Sequence, residues 1–167
     1  MIVSYVTCFL GALVLHELGH FAAAYACRIR INEFGVGWGR RLAGTTLGGV
    51  DYVFRVLPVG AYVRFDLKEL QLRPLGQQVL VLLAGIIVNL LAASLTGGTR
   101  FSAMNYLLAA TNILPVYQQD GWKCGMVMLR GIMRRKSRLV EWTFTITGSS
   151  LTLFLFGALV LHVLRTN

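Results

Sequence analysis

Four stretches of this 167-residue chain are apolar and close to the length that crosses a bilayer: residues 2–27, 75–95, 101–116 and 139–164. A transmembrane helix takes about 20 apolar residues to span roughly 30 Å of hydrocarbon. Inside that layer every backbone N–H and C=O must be paired within the segment, which restricts the chain to helices joined by loops at the membrane faces. Composition agrees, with 56% hydrophobic residues, only 14% charged and a mean hydropathy of +0.64. A soluble domain carries about 25% charged residues. The expected fold class is therefore an α-helical polytopic membrane protein with about four transmembrane helices, organised as a single domain over residues 1–167. The first stretch has the look of a signal-peptide core. It lacks a basic n-region, however, and runs on past His16–His20, so a retained span is expected.

The distribution of positive charge orients these spans. Lys+Arg number 16 against 7 Asp+Glu. In so apolar a chain this excess is expected to serve topology, not a nucleic-acid partner. Arg28, Arg30, Arg40, Arg41, Arg55, Arg64, Lys68 and Arg73 lie between the first and second spans. Lys123, Arg130, Arg134, Arg135, Lys136 and Arg138 lie between the third and fourth. Only Arg100 and Arg165 fall on the other side. Both basic loops are expected in the cytoplasm and both termini outside. Residues 130–138 read either as an amphipathic helix on anionic lipid, at about 1 kcal/mol per basic residue, or as a topology signal alone. Cys8, Cys27 and Cys124 have no CxxC spacing and are read as reduced structural thiols.

The loop over residues 29–68 is punctuated by Gly35, Gly37, Gly39, Gly44, Gly48, Gly49 and Gly60, with β-branched and aromatic runs such as Val50–Val56 and Ala61–Phe65 between them. That pattern predicts short strands or a hairpin at the cytoplasmic membrane face.

His16-Glu17-Leu18-Gly19-His20 is an HExxH pattern within the first span. On a helix, residues four apart share a face, so both imidazoles can reach one metal ion, and Glu17 lies where it can deprotonate a water that the metal activates. Only three letters are fixed, and such matches arise by chance. Here, though, the motif lies at membrane depth, where a carboxylate costs about 2.5–3.5 kcal/mol even on lenient scales and needs a partner. Zinc requires at least a third protein ligand. The second and fourth spans have no ionisable residue at their centres, and Glu141 and His162 lie near the ends of the fourth. Asp120 remains, just after the third span. His20 lies about 12 Å inside the cytoplasmic boundary at 1.5 Å per residue, and Asp120 approaches the same boundary three residues before Lys123. Pro115 should break the helix and let the chain bend back. The alternative for Asp120 is a carboxylate in a solvated turn.

These residues resemble the site-2 protease family of intramembrane metalloproteases, peptidase family M50. HExxH in the first span is followed in a later one by Asn112-Ile113-Leu114-Pro115 and then Asp120-Gly121. Phe34–Gly39, Leu57–Val63 and Ala84–Asn89 are similar to three further family segments, in the same order. The resemblance implies one Zn2+ per chain held by His16, His20 and Asp120, with Glu17 as general base. It also implies Asn112, and more weakly Asn89, as substrate-binding residues, and a β-rich loop that receives an extended transmembrane-protein substrate. For both asparagines helix–helix hydrogen bonding is the competing role. Ile86, Ala61 and Trp122 depart from the family pattern, at positions other than the proposed ligands and base. The outer loop, about residues 96–100, leaves no room for a PDZ or CBS domain, so a compact form is expected, with access governed by the helices, the β loop or a separate regulatory partner. A zinc-binding pseudoprotease that binds membrane helices without cleavage is the rival reading. The intact Glu17 argues against it. A metal transporter would need ionisable groups along several spans.

Overall fold

In the computed structural model, residues 2–133 and 138–166 are described. Arg134, Arg135 and Lys136 of the expected basic segment lie outside the described residues. The chain divides into two compact units, Met1–Thr111 and Asn112–Asn167.

The first unit begins with α1 (Ile2–Ala26), followed by the long strands β1 (Ile31–Leu47) and β2 (Val50–Phe65), the short helix α2 (Leu67–Leu72), α3 (Leu75–Leu95) and α4 (Arg100–Ile113), whose last residues from Asn112 on belong to the second. Along α1 the buried positions Ala12, His16, His20 and Ala24 recur every four residues, which aligns them in one stripe. That stripe packs on α3, which is interrupted by small residues: a Cβ on Gly19 would lie 2.8 Å from the Ala84 carbonyl oxygen. The two backbones come close because Gly19 has no side chain and Ala84 only a methyl group, the kind of small-residue contact that lets helix backbones approach.

The strands curl upon themselves. The first half of β1 is paired on one side with the end of β2 (Phe34 with Val63, Val36 with Ala61) and on the other with its start (Phe34 with Tyr52, Val36 with Phe54). The second half of β1 pairs with the start of β2, from Leu47–Val50 to Gly44–Val53. The end of β2 is thus an edge. Gly35 is required beneath it, since a Cβ there would fall 2.2 Å from the Tyr62 ring. Phe21 of α1 meets Phe34 and Tyr52 at centroid distances of 5.8 and 6.3 Å, seating the sheet on the helix. Asp66 caps α2 by accepting from the N–H groups of Lys68 and Glu69.

The second unit holds α5 (Asp120–Met133) and α6 (Arg138–Thr166). Trp122 stacks on Phe144 at 6.0 Å and meets Tyr117 edge to face at 5.0 Å. Arg130 donates to Glu141 at 2.8 Å and ties the two helices.

Among the described residues, α1 and α3 are the helices both long and apolar enough to cross a membrane. The third expected span is shorter than its sequence suggests. α4 has 14 residues and stops at Ile113, before Pro115, which makes it about 21 Å long, short of the roughly 30 Å core. α6, with 29 residues, has ample length.

Candidate metal centre

The stripe on α1 brings His16 and His20 together. Their Nε2 atoms are 3.1 Å apart and their rings meet edge to face at 79°. Two nitrogens bound at 2.0–2.1 Å to one tetrahedral ion would be about 3.3 Å apart. The other nitrogen of each ring is engaged by α3. Nδ1 of His20 donates to the Val81 carbonyl at 2.7 Å, and Nδ1 of His16 lies 2.5 Å from the Asn89 Oδ1. A histidine whose Nδ1–H is held by a carbonyl presents Nε2 as its ligand atom. Both histidines are buried.

Room for an ion comes from Gly85. A Cβ at that position would lie 2.6 Å from His20 Nε2 and 2.7 Å from His16 Nε2. Two imidazole donors aimed at one point, fixed from behind and facing a glycine, fit a borderline-soft divalent ion such as zinc.

Glu17 is half-buried, and its Oε2 accepts the backbone N–H of Val63 at 3.1 Å. Val63 belongs to the edge segment of β2, so the carboxylate beside the histidines is anchored on the sheet. The flanking residues stiffen that segment. Tyr62 donates to Glu33, and Arg55 and Arg64 each reach the Glu33 carboxylate at 3.1 Å. The Tyr62 hydrogen bond holds the Glu33 carboxyl below the usual carboxylate range, helped by the two guanidinium groups and opposed by burial. Burial and the same hydrogen bond push the Tyr62 phenol up.

The remaining expected residues are placed as follows. Asn89 is fully buried on α3, and its amide is committed to His16, the Ala12 carbonyl and Asn105. In the second unit, Asn112 stands half-buried at the end of α4, and Asp120 is the buried first residue of α5. Lys123 donates to the Asp120 carboxylate at 2.9 Å, and Gly121 is needed because a Cβ there would collide with the Ile113 carbonyl oxygen at 2.1 Å. Sequence reasoning did not single out Gly85, the Val81 carbonyl, the Val63 N–H or Asn105. The one available signal was the small-residue run Ala84-Gly85 preceding Asn89.

Comparison with known proteins follows the same residues. The family model described as Peptidase family M50 matches residues 4–102, more than half of the chain. A chloroplast protein of Arabidopsis thaliana, ARASP2, named as a membrane metalloprotease, is 36% identical over 93 residues, covering 48% of this chain and 21% of its own length. A Clostridium perfringens protein with a zinc-metalloprotease name is 33% identical over 51% of this chain and 28% of its own. The regulator of sigma-E protease RseP of Salmonella typhimurium is 32% identical over 50% and 22% respectively. The chain thus spans 21–28% of the length of these relatives. The matched region holds HExxH, the sheet and α3, and ends before Asp120. On this match the chain belongs to peptidase family M50, the site-2 protease family.

Proposed function

We propose that the chain is an intramembrane zinc metalloprotease that hydrolyses peptide bonds of membrane-protein substrates. The observation that carries this reading is the pair of Nε2 atoms 3.1 Å apart on a buried helix stripe, with the adjacent Glu17 carboxylate anchored on a sheet edge. One zinc ion would be held by His16, His20 and Asp120, all buried and each offering one ligand atom. Zinc, when bound, supplies Lewis-acid polarisation of a water and of the scissile carbonyl. Glu17 is the general base that takes the water's proton and returns it to the leaving amine. The Val63 N–H keeps one Glu17 oxygen oriented while this happens.

The family match supports the first two ligands and the base. Asp120 as third ligand is supported by its burial at the start of α5 and by the helix break at Pro115. Asn112 is proposed to hold the unwound substrate backbone. A helix hides its peptide bonds, so a transmembrane substrate must open locally, and the edge at residues 61–65 would receive it as an added strand. Asn89, committed to His16, we assign to the metal ligand and not to the substrate. We further propose four spans acting as one domain over residues 1–167, with the basic loops cytoplasmic. The 14 cationic residues on one side against Arg100 and Arg165 on the other support this orientation.

The test pairs bound zinc with cleavage of single-span substrates in detergent or nanodiscs. Wild type is expected to hold one zinc and cleave. Glu17→Gln should retain the metal and lose cleavage by about 10²–10⁴-fold. Asp120→Ala should lose both zinc and cleavage. Folded wild type that binds no zinc would overturn the reading.

A further inference from the structure

We propose that Asn105 is a positioning residue for the metal centre, acting through Asn89 to fix the proton on Nδ1 of His16. The inference rests on the reading of His16 as a metal ligand.

Four links form one directed chain across three helices. Nδ2 of Asn105 donates to the Phe101 carbonyl at 2.9 Å. Oδ1 of Asn105 accepts from Asn89 Nδ2 at 2.6 Å, and the same Nδ2 group gives its second hydrogen to the Ala12 carbonyl at 3.0 Å. Oδ1 of Asn89 then faces Nδ1 of His16 at 2.5 Å. An amide has two donors on nitrogen and only acceptors on oxygen, so the network admits one orientation of each group. Flipping Asn89 would set its oxygen against the Ala12 and Asn105 oxygens. Flipping Asn105 would set its oxygen against Phe101 and its nitrogen against the Asn89 nitrogen. With both orientations fixed, Asn89 presents an acceptor to His16, whose Nδ1 must carry the hydrogen. Nε2 is then the ligand atom.

Burial makes the chain consequential. Asn89 and Asn105 are both 0% exposed, so an amide that turned the wrong way would set buried polar atoms against one another at a cost. A bland role as interhelical glue would need only some hydrogen bond between α3 and α4. The sequence of donors and acceptors, ending on a metal-ligand candidate, asks for more. Outer partners of ligating histidines typically set metal affinity by about 10–100-fold.

The experiment uses the full chain and compares wild type, Asn105→Leu and Asn105→Asp. Zinc affinity is measured by chelator competition, and the His16 tautomer by 15N NMR of the metal-free protein. Wild type should show a protonated Nδ1 on His16. Asn105→Leu removes the acceptor at similar volume, and should give mixed tautomers and zinc binding weaker by about 10–100-fold. Asn105→Asp keeps an acceptor toward Asn89 and should restore both signals toward wild type. Unchanged tautomer and zinc affinity in Asn105→Leu, with only its melting temperature lowered, would reduce Asn105 to glue and overturn the proposal. So would a wild-type His16 protonated on Nε2, even if the Leu variant failed to fold. Wild type with the expected tautomer but no zinc would leave the hydrogen-bond chain standing and remove the metal reading, and with it the role in positioning a ligand.

Discussion

Gly85 and Glu33 show how single positions govern this centre from opposite directions, one by having no side chain and one by its charge. At Gly85 the missing methyl is the space in front of the two imidazoles, since a Cβ would approach both within 2.6–2.7 Å. Gly85→Ala is expected to reduce zinc bound per chain by at least about tenfold, as loss of ligand orientation does elsewhere, while circular dichroism keeps its helical signal. Glu33 works through protonation. Its carboxyl is held below the usual carboxylate range, so its contribution to stability is fully present above that range and is lost as pH falls through the lower, folded value. Glu33→Gln should therefore destabilise the sheet by about 1–3 kcal/mol at pH 7, and the difference from wild type should shrink in melts recorded below pH 4.5. HExxH itself was legible from spacing alone, because a period of 3.6 puts residues four apart on one face. Gly85 and the Val81 carbonyl were not, since a close approach and a backbone acceptor leave no mark in the sequence around His16.

Among the elements, α3 was the most readable. Its bounds Leu75–Leu95 coincide with the apolar run between Pro74 and the Thr96-Gly97-Gly98 turn. The strands were readable as strands, from glycines alternating with β-branched and aromatic residues. Their pairing was not. That the start and the end of β2 flank the same half of β1 depends on how a long ribbon curls, which residue alternation does not encode. α2 was passed over because its charged residues fall in a stretch read as a loop, and of α5 only the end, within the possible amphipathic helix at residues 130–138, was foreseen. The edge of β2 carries a test of its own. Val63 gives its N–H to Glu17, and proline on an edge strand is tolerated where that N–H points away from the ladder. Val63→Pro should therefore keep zinc and slow cleavage by about 10–100-fold, measured as turnover against bound metal. Equal loss of both would mean that the sheet had come apart.

For the molecule as a whole, charge asymmetry makes the strongest prediction. Single-cysteine labels placed in residues 96–99 should react from outside the cell, and labels at residues 66–73 only from the cytoplasm, in a chain otherwise freed of Cys8, Cys27 and Cys124. The opposite pattern would invert the proposed topology. The third span was the least legible, because α4 stops at Ile113 before Pro115 and apolarity alone counts residues without seeing where the helix ends. Both histidines ride on one helix, and α3 sets each ring through a hydrogen bond of its own, to Asn89 and to the Val81 carbonyl. Their orientation is held by helix packing through atoms other than the Nε2 pair. Small zinc domains assemble around their metal and collapse when it is stripped. With each ring held from α3 by a bond that uses no metal, stripping the ion is expected to leave this helix pair folded and reloading to restore the centre.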